Sequence, residues 1–199
     1  MIHSAAPPLI LYLHGFISSP VSIKACQTLD YAASHFPDIE VQVPALSHYP
    51  SIVEQQLTTL IEQQTSRPIA VIGSSLGGFY ASWLSARYGC RSVLVNPAVR
   101  PYALPNLLGD HQNPYSGECF SLQQSHLDEL KTLDLPGADP SLMWLMVQTD
   151  DETLDYRQAV AKYAQSPQLV ETGGDHSFIG FDRHLPAIME FLQRPVVAA

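Results

Sequence analysis

Nine residues, Val71-Ile72-Gly73-Ser74-Ser75-Leu76-Gly77-Gly78-Phe79, constrain this chain more than any other stretch. Ile69 to Ile72 is an apolar run of strand character, and it passes without a spacer into Gly-Ser-Ser-Leu-Gly. That string fits G-x-S-x-G, in which a serine sits on a tight strand-to-helix turn. The backbone at such a serine is strained, and the positions two residues to either side must be small; Gly73 and Gly77 satisfy this. A chain of this length would match the string by chance roughly once in fifteen, so the flanking pattern decides. The residues after the turn are helical in spacing, with Gly78, Ala81, Ser82 and Ser85 small and Phe79, Trp83 and Leu84 large and apolar. The reading is a strand, a turn with Ser75 at its tip, and a helix lying close on a sheet.

The rest of the chain repeats the alternation. Leu9–Leu13 is a continuous apolar run, as in a parallel-sheet strand buried on both faces. His14-Gly15-Phe16 comes next, and Ser18-Ser19-Pro20 reads as the start of a helix that keeps apolar spacing to about Phe36. Ile39–Val43 alternates and reads as a more exposed strand near a sheet edge. Ser51 is the expected cap of a helix whose stripe is Val53, Leu57, Leu60 and Ile61. Gly89 is a helix stop, and Ser92–Val95 is another short strand ending at Asn96-Pro97. Residues 98–140 break the rhythm, being rich in Pro, Gly and Asn with one helix over about 125–133. They read as a lid-like insertion over the carboxyl ends of the strands. Leu142–Val147 and Gln168–Glu171 are the last strands, with helices over Tyr156–Ala164 and Leu185–Leu192 and a frayed tail from Arg194. About six strands alternating with helices, with no repeat and no linker in 199 residues, mean one α/β domain with a mostly parallel sheet and helices on both faces.

In such a sheet the functional loops gather where the strands end. His14-Gly15-Phe16, Ser75, Asp150-Asp151 and His176 all fall there. A serine hydroxyl needs a base to take its proton, and the base needs a carboxylate to hold its tautomer and charge. Ser75, Asp151 and His176 occur in the order expected of α/β-hydrolases, each after a predicted strand. Among the eight histidines, His3, His35, His48, His111, His126 and His184 lie without supporting context, and His14 belongs to the first loop. Asp150 and Asp155 are alternatives for the acid, the first as a strand-turn residue and the second as a helix cap. An oxyanion needs donors already in place, and the backbone N–H groups of Leu76 and Phe16 are the expected pair, with Gly15 allowing close approach. His14, Gly15, Tyr115 and Phe178 are the candidate substrate contacts.

Composition removes other classes. The formal net charge is −9, and the ten Lys and Arg residues do not cluster, against a nucleic-acid surface. No G-x-G-x-x-G, Walker motif or zinc spacing occurs, so neither cofactor nor metal is expected. Cys26, Cys90 and Cys119 are far apart and odd in number, as reduced thiols of a cytoplasmic protein are. Met1–Pro8 lacks the charged region and apolar core of a signal peptide, and Leu9–Leu13 is too short to span a bilayer.

The chain resembles the α/β-hydrolase superfamily, and within it the small bacterial YqiA-like esterases. The matching phrases are Leu11-Tyr12-Leu13-His14-Gly15-Phe16 with Ser18-Ser19-Pro20, and Ile72-Gly73-Ser74-Ser75-Leu76-Gly77-Gly78-Phe79-Tyr80-Ala81. Asn96-Pro97-Ala98-Val99-Arg100-Pro101 and Asn113-Pro114-Tyr115-Ser116-Gly117-Glu118 also match, as do Gln148-Thr149-Asp150-Asp151-Glu152, Leu154-Asp155-Tyr156-Arg157 and Gly174-Asp175-His176 with Phe178. The resemblance implies a serine esterase acting on acyl esters or thioesters, with Ser75 as nucleophile, Asp151 as acid and His176 as base. It departs at Asp150, where that family tends to carry Gly; a second carboxylate there would compete for His176 or raise its neighbour's pKa. A thioesterase shares all this machinery, and an idle fold that binds a ligand or partner is the rival outside enzymes.

Overall fold

The computed structural model describes residues 8–64 and 67–194. His3, the segment read against a signal peptide apart from Pro8, and the tail beyond Arg194 lie outside the described residues. Six strands form one sheet, β1 (Leu9–Leu13), β2 (Glu40–Gln42), β3 (Ile69–Ser74), β4 (Arg91–Val95), β7 (Met143–Gln148) and β8 (Gln168–Glu171). Their order is β2-β1-β3-β4-β7-β8 and every pairing is parallel. β2 is an edge strand, short and partly exposed, as its alternation predicts.

Two-residue periodicity divides the central strands between two cores. Leu9, Leu11, Leu13, Val71, Leu94, Leu145 and Val147 face one side, where they meet α2 (Pro50–Glu62), α3 (Leu76–Tyr88), α4 (Gln124–Thr132) and α5 (Tyr156–Lys162). Ile10, Tyr12, Ile72, Val93, Val95 and Met146 face the other, against α1 (Ile23–His35) and α6 (Leu185–Leu192). All five residues of β1 are buried. At about 2 kcal/mol per large apolar side chain removed from water, this strand and β3 hold the three layers together.

Three local expectations are corrected. Helix α1 begins at Ile23 after Ser22, not at Ser18-Ser19-Pro20, and its capping serine makes no side-chain bond to the helix. Pro50, not a serine cap, opens α2, because its fixed φ suits the first turn and it lacks an N–H to satisfy. The insertion carries, besides α4, an antiparallel hairpin of β5 (Gly109–Gln112) and β6 (Cys119–Leu122). Phe120 and Leu122 are buried beneath it while their neighbours are exposed. Gly89 ends α3 in the left-handed region at φ 67°, as its place in the sequence predicts.

Candidate functional site

Ser75 stands between β3 and α3 with φ 57° and ψ −121°, a conformation L-residues avoid. The surrounding backbone holds it there. Its N–H donates to the Val95 carbonyl at 3.0 Å, and its carbonyl accepts the N–H groups of Gly78 and Ala98, each at 3.0 Å. The two glycines of the motif are required sterically. A Cβ on Gly73 would come within 2.2 Å of the Gly77 carbonyl oxygen, and one on Gly77 within 2.0 Å of the Leu13 oxygen. Leu76 is the first residue of α3, so its N–H has no acceptor within the helix. The loop after β1 passes over the serine: a Cβ on Gly15 would sit 3.0 Å from Ser75 Cβ and 3.5 Å from its Oγ.

Two other strand ends meet this turn. His176 Nε2 lies 2.9 Å from Ser75 Oγ. Its Nδ1 lies 2.8 Å from Asp151 Oδ2 and 3.0 Å from Oδ1. A carboxylate only accepts, so Nδ1 carries the proton shared with Asp151 and Nε2 is left to face the hydroxyl. The Asp151 side chain is almost wholly buried, and its Oδ1 also accepts the N–H groups of Thr153 at 2.9 Å and Leu154 at 2.8 Å. Its neighbours are engaged elsewhere. Asp150 accepts the Thr149 hydroxyl, and Asp155 caps α5 by accepting the Arg157 N–H at 3.0 Å. The order Ser75, Asp151, His176 therefore closes into one hydrogen-bonded chain, without Asp150 or Asp155.

The residues that hold His176 in place lie in the matching phrases, yet their sequence context gives them no role. Asn96, at φ 40° just after β4, donates from Nδ2 to the carbonyls of Asp175 at 2.9 Å and His176 at 3.2 Å. Gln148, at the end of β7, accepts the N–H groups of Asp175 and Ile179 on Oε1 and donates from Nε2 to Ile179 and Glu171. Glu152 accepts the His176 N–H at 3.0 Å. Sequence reasoning assigned none of the three a role; for Asn96 and Gln148 the polar side chains at the ends of β4 and β7 were the available signal, since a buried amide there must find partners.

The candidate substrate contacts separate. Gly15 lies at the serine. His14 is buried and both ring nitrogens are used: Nδ1 bonds the Gly15 carbonyl at 3.0 Å, and Nε2 accepts the Leu46 N–H at 3.2 Å. Burial holds its pKa below the ordinary value, as suits a neutral ring. The side chain thus pins one loop to another instead of facing the site. Phe178 packs its side chain into the α1–α6 core, and the residue also lines the groove that Tyr115 borders. Tyr115 is exposed and borders a groove beside Ser177. Phe16 is half-buried, with its ring edge-on to His111 and Phe120 of the hairpin, at 5.0 and 5.8 Å between centroids.

A parallel sheet with a strained serine at a central strand end and acid and histidine on later loops is the α/β-hydrolase fold, and solved structures bear this out. A monoacylglycerol lipase from Paleococcus ferrophilus superposes with a TM-score of 0.72 at 13% identity, covering 92% of this chain and 93% of its own. Mouse alpha/beta hydrolase domain-containing protein 10 gives 0.68 at 18%, with 92% and 88% covered. Est1E from Butyrivibrio proteoclasticus gives 0.68 at 14%, with 96% and 87% covered. At these identities the likeness is one of fold. The chain itself belongs to UPF0227, an uncharacterised protein family whose model matches residues 9–193. A UPF0227 protein of Shewanella woodyi is 33% identical over 115 residues, 53% of this chain and 59% of that protein. Another from Shewanella sediminis is 26% identical over 119 residues, 57% of this chain and 65% of that protein. The match spans less than two thirds of either relative.

Among the described residues no helix is long and apolar enough to cross a membrane.

Proposed function

We propose that the protein is a serine hydrolase of carboxylic esters. One observation carries this reading: Ser75 Oγ, His176 Nε2 and Asp151 join in a single hydrogen-bonded chain, at 2.9 and 2.8 Å, on three separate loops. In the reaction, Ser75 Oγ bonds to the acyl carbon as its proton passes to His176 Nε2. The oxyanion is met by the N–H groups of Leu76 and Phe16, and the positive end of the α3 dipole supports the first of these. The bond from the acyl carbon to the alcohol oxygen then breaks, and His176 returns the proton to that oxygen. Water, activated by the same ring, cleaves the acyl-enzyme, giving the acid and free Ser75. The same steps with sulfur as leaving atom describe a thioesterase. Free Cys26, Cys90 and Cys119 suit a cytoplasmic setting for this chemistry.

The strained Ser75 argues against an idle fold. Its φ of 57° with ψ of −121° lies outside even the left-handed region and costs of order 1–3 kcal/mol. The test is a panel of p-nitrophenyl esters of graded acyl length beside acyl-CoA thioesters, with the parent protein and Ser75→Ala. The parent is expected to turn over at least one series, and Ser75→Ala to lose nearly all of it while unfolding at the parent's temperature. Equal turnover by the two proteins would overturn the reading.

A further inference from the structure

A groove of about 310 Å³ is lined by Ser177, the residue after His176, and by Ser18, in the loop that carries Gly15. Three segments wall it: the turn after β1 with the start of α1, the hairpin turn carrying Tyr115, and the segment just after His176. Ser177 is adjacent in sequence to His176, and Ser18 lies three residues beyond Gly15, no more than about 11 Å along the chain. Asn113 fixes the hairpin wall, donating to the Ser18 carbonyl at 3.0 Å while its Oδ1 accepts the Tyr115 N–H at 2.9 Å.

Two features of this groove suit a ligand. Its rim carries Ile23, Tyr115 and Ile179, which are 76%, 55% and 57% exposed. Three large apolar side chains gathered round one concavity are more than the scattered singles of an ordinary surface. In its wall lies Lys24, whose ammonium donates to the Ser177 carbonyl at 2.6 Å and forms no ion pair among the described residues. An ammonium has three donors, and among the described residues only the Ser177 carbonyl takes one of Lys24's. Burial pulls this ammonium's pKa down to about 8, against the fields of Asp175 and Asp151. Those two carboxylates are themselves engaged, Asp175 by the Ser177 hydroxyl and Asp151 by His176. They lie beyond ion-pair contact with Lys24, so an anion touching the ammonium gains more than it loses to them.

Building on the esterase reading, we propose that this groove receives the leaving group, and that the leaving group has an apolar body ending in a carboxylate or phosphate held by Lys24. The leaving atom must stand next to His176 Nε2 to take its proton, and the chain beyond it then runs past Ser177 into the groove. The apolar rim covers the body, and the ammonium meets the anion at its end.

Three acetyl esters test this, because they form the same acyl-enzyme and differ only in the leaving group: 4-acetoxybenzoate, 4-acetoxyphenyl phosphate and methyl 4-acetoxybenzoate. With each kcat/KM corrected for the ester's own rate with hydroxide, the parent is expected to favour an anionic ester over the neutral one by roughly tenfold, the worth of one charge-assisted hydrogen bond. Lys24→Met should abolish that preference and Lys24→Arg restore it. The carboxylate and phosphate arms tell which anion the groove prefers. A parent without preference overturns the proposal. So does a Lys24→Met protein that loses all three activities by one factor, since Lys24 would then only pin the Ser177 carbonyl. Calorimetry on Ser75→Ala with 4-hydroxybenzoate and 4-hydroxyphenyl phosphate needs no turnover: adding Lys24→Met should weaken binding roughly tenfold. Equal affinities overturn the proposal. Loss of affinity with no ester cleaved by the parent leaves the groove assignment standing and removes the esterase reading instead.

Discussion

Asn96 and Gln148 meet at the ends of two neighbouring strands, the Gln148 N–H donating to Asn96 Oδ1 at 3.0 Å, and each turns its remaining polar atoms onto the loop that carries His176. Both are almost fully buried. The histidine is thus seated by side-chain amides whose hydrogen-bond partners include neither the Ser75 hydroxyl nor the Asp151 carboxylate, although the Gln148 carbonyl accepts the Asp151 N–H at 3.4 Å. A Cβ on Gly174 would fall 1.9 Å from Gln148 Oε1, so the loop's approach depends on that glycine as well. Gln148→Ala leaves the Asp175 and Ile179 N–H groups without an acceptor, and kcat is expected to drop roughly 10²-fold with little change in KM. Gln148→Glu keeps the acceptor oxygen and should recover part of it. A Gln148→Ala protein with the parent's kcat and intact fold would show that the loop is held by other means.

The acid assignment separates by substitution. Asp151→Asn keeps the shape but lets the imidazole take the wrong tautomer, and kcat should fall roughly 10⁴-fold. Asp155→Ala removes a helix cap and is expected to cost about 1 kcal/mol of stability with kcat little changed. The reverse pattern, measured by steady-state kinetics and urea unfolding, would move the acid to Asp155.

Gly77→Ala should be read as a test of packing. Its Cβ would strike the Leu13 and His14 carbonyl oxygens, at 2.0 and 2.7 Å, and neither backbone atom can swing aside. We expect a loss of about 2–3 kcal/mol, equivalent to roughly 5–10 °C in the unfolding temperature. An unchanged melting curve would mean that α3 lies further from β1 than described.

His14 gives a pH signature. Its folded pKa lies below the ordinary 6.5, first because it is buried. The neutral ring's contribution is therefore complete above about pH 6.5 and is lost as the pH falls towards the folded pKa, when protonation of Nε2 also ends its acceptance of the Leu46 N–H. Between pH 7.5 and 5 the parent's urea midpoint should fall further than that of His14→Asn. Parallel curves would show that His14 does not carry this dependence.

Burial pushes the Cys90 thiol up to about 11, so at pH 8 only roughly one molecule in a thousand carries its thiolate. Cys26 and Cys119 are exposed. Iodoacetamide at pH 8 should alkylate those two and spare Cys90 until the protein is unfolded, as mass spectrometry would show; early reaction at Cys90 would contradict its burial.

Much of this was legible in the sequence because it rests on local sterics and two-residue periodicity. The strained turn at Ser75, the β1 and β3 runs, the edge position of β2 and the stop at Gly89 all come from residue types over short windows. So does the order Ser75, Asp151, His176, once the parallel sheet puts every strand end on one rim. Long-range pairing was not legible. His14 comes after a strand like the others, but its ring turns away to hold Leu46. Phe178 neighbours the histidine loop but points into the core. The β5–β6 hairpin escaped notice because its strands are four residues each and lie in a segment dense in turn formers. The Asn96–Gln148 clamp joins residues 52 positions apart, the Gln148 main-chain N–H meeting the Asn96 side-chain amide, which no periodicity records.

The most direct measurement is labelling with a fluorophosphonate probe, then peptide mass spectrometry. A serine activated through His176 should take one probe per chain at Ser75, and His176→Ala should remove the label while the fold persists. A protein that stays unlabelled, or whose label falls on another residue, would contradict the account.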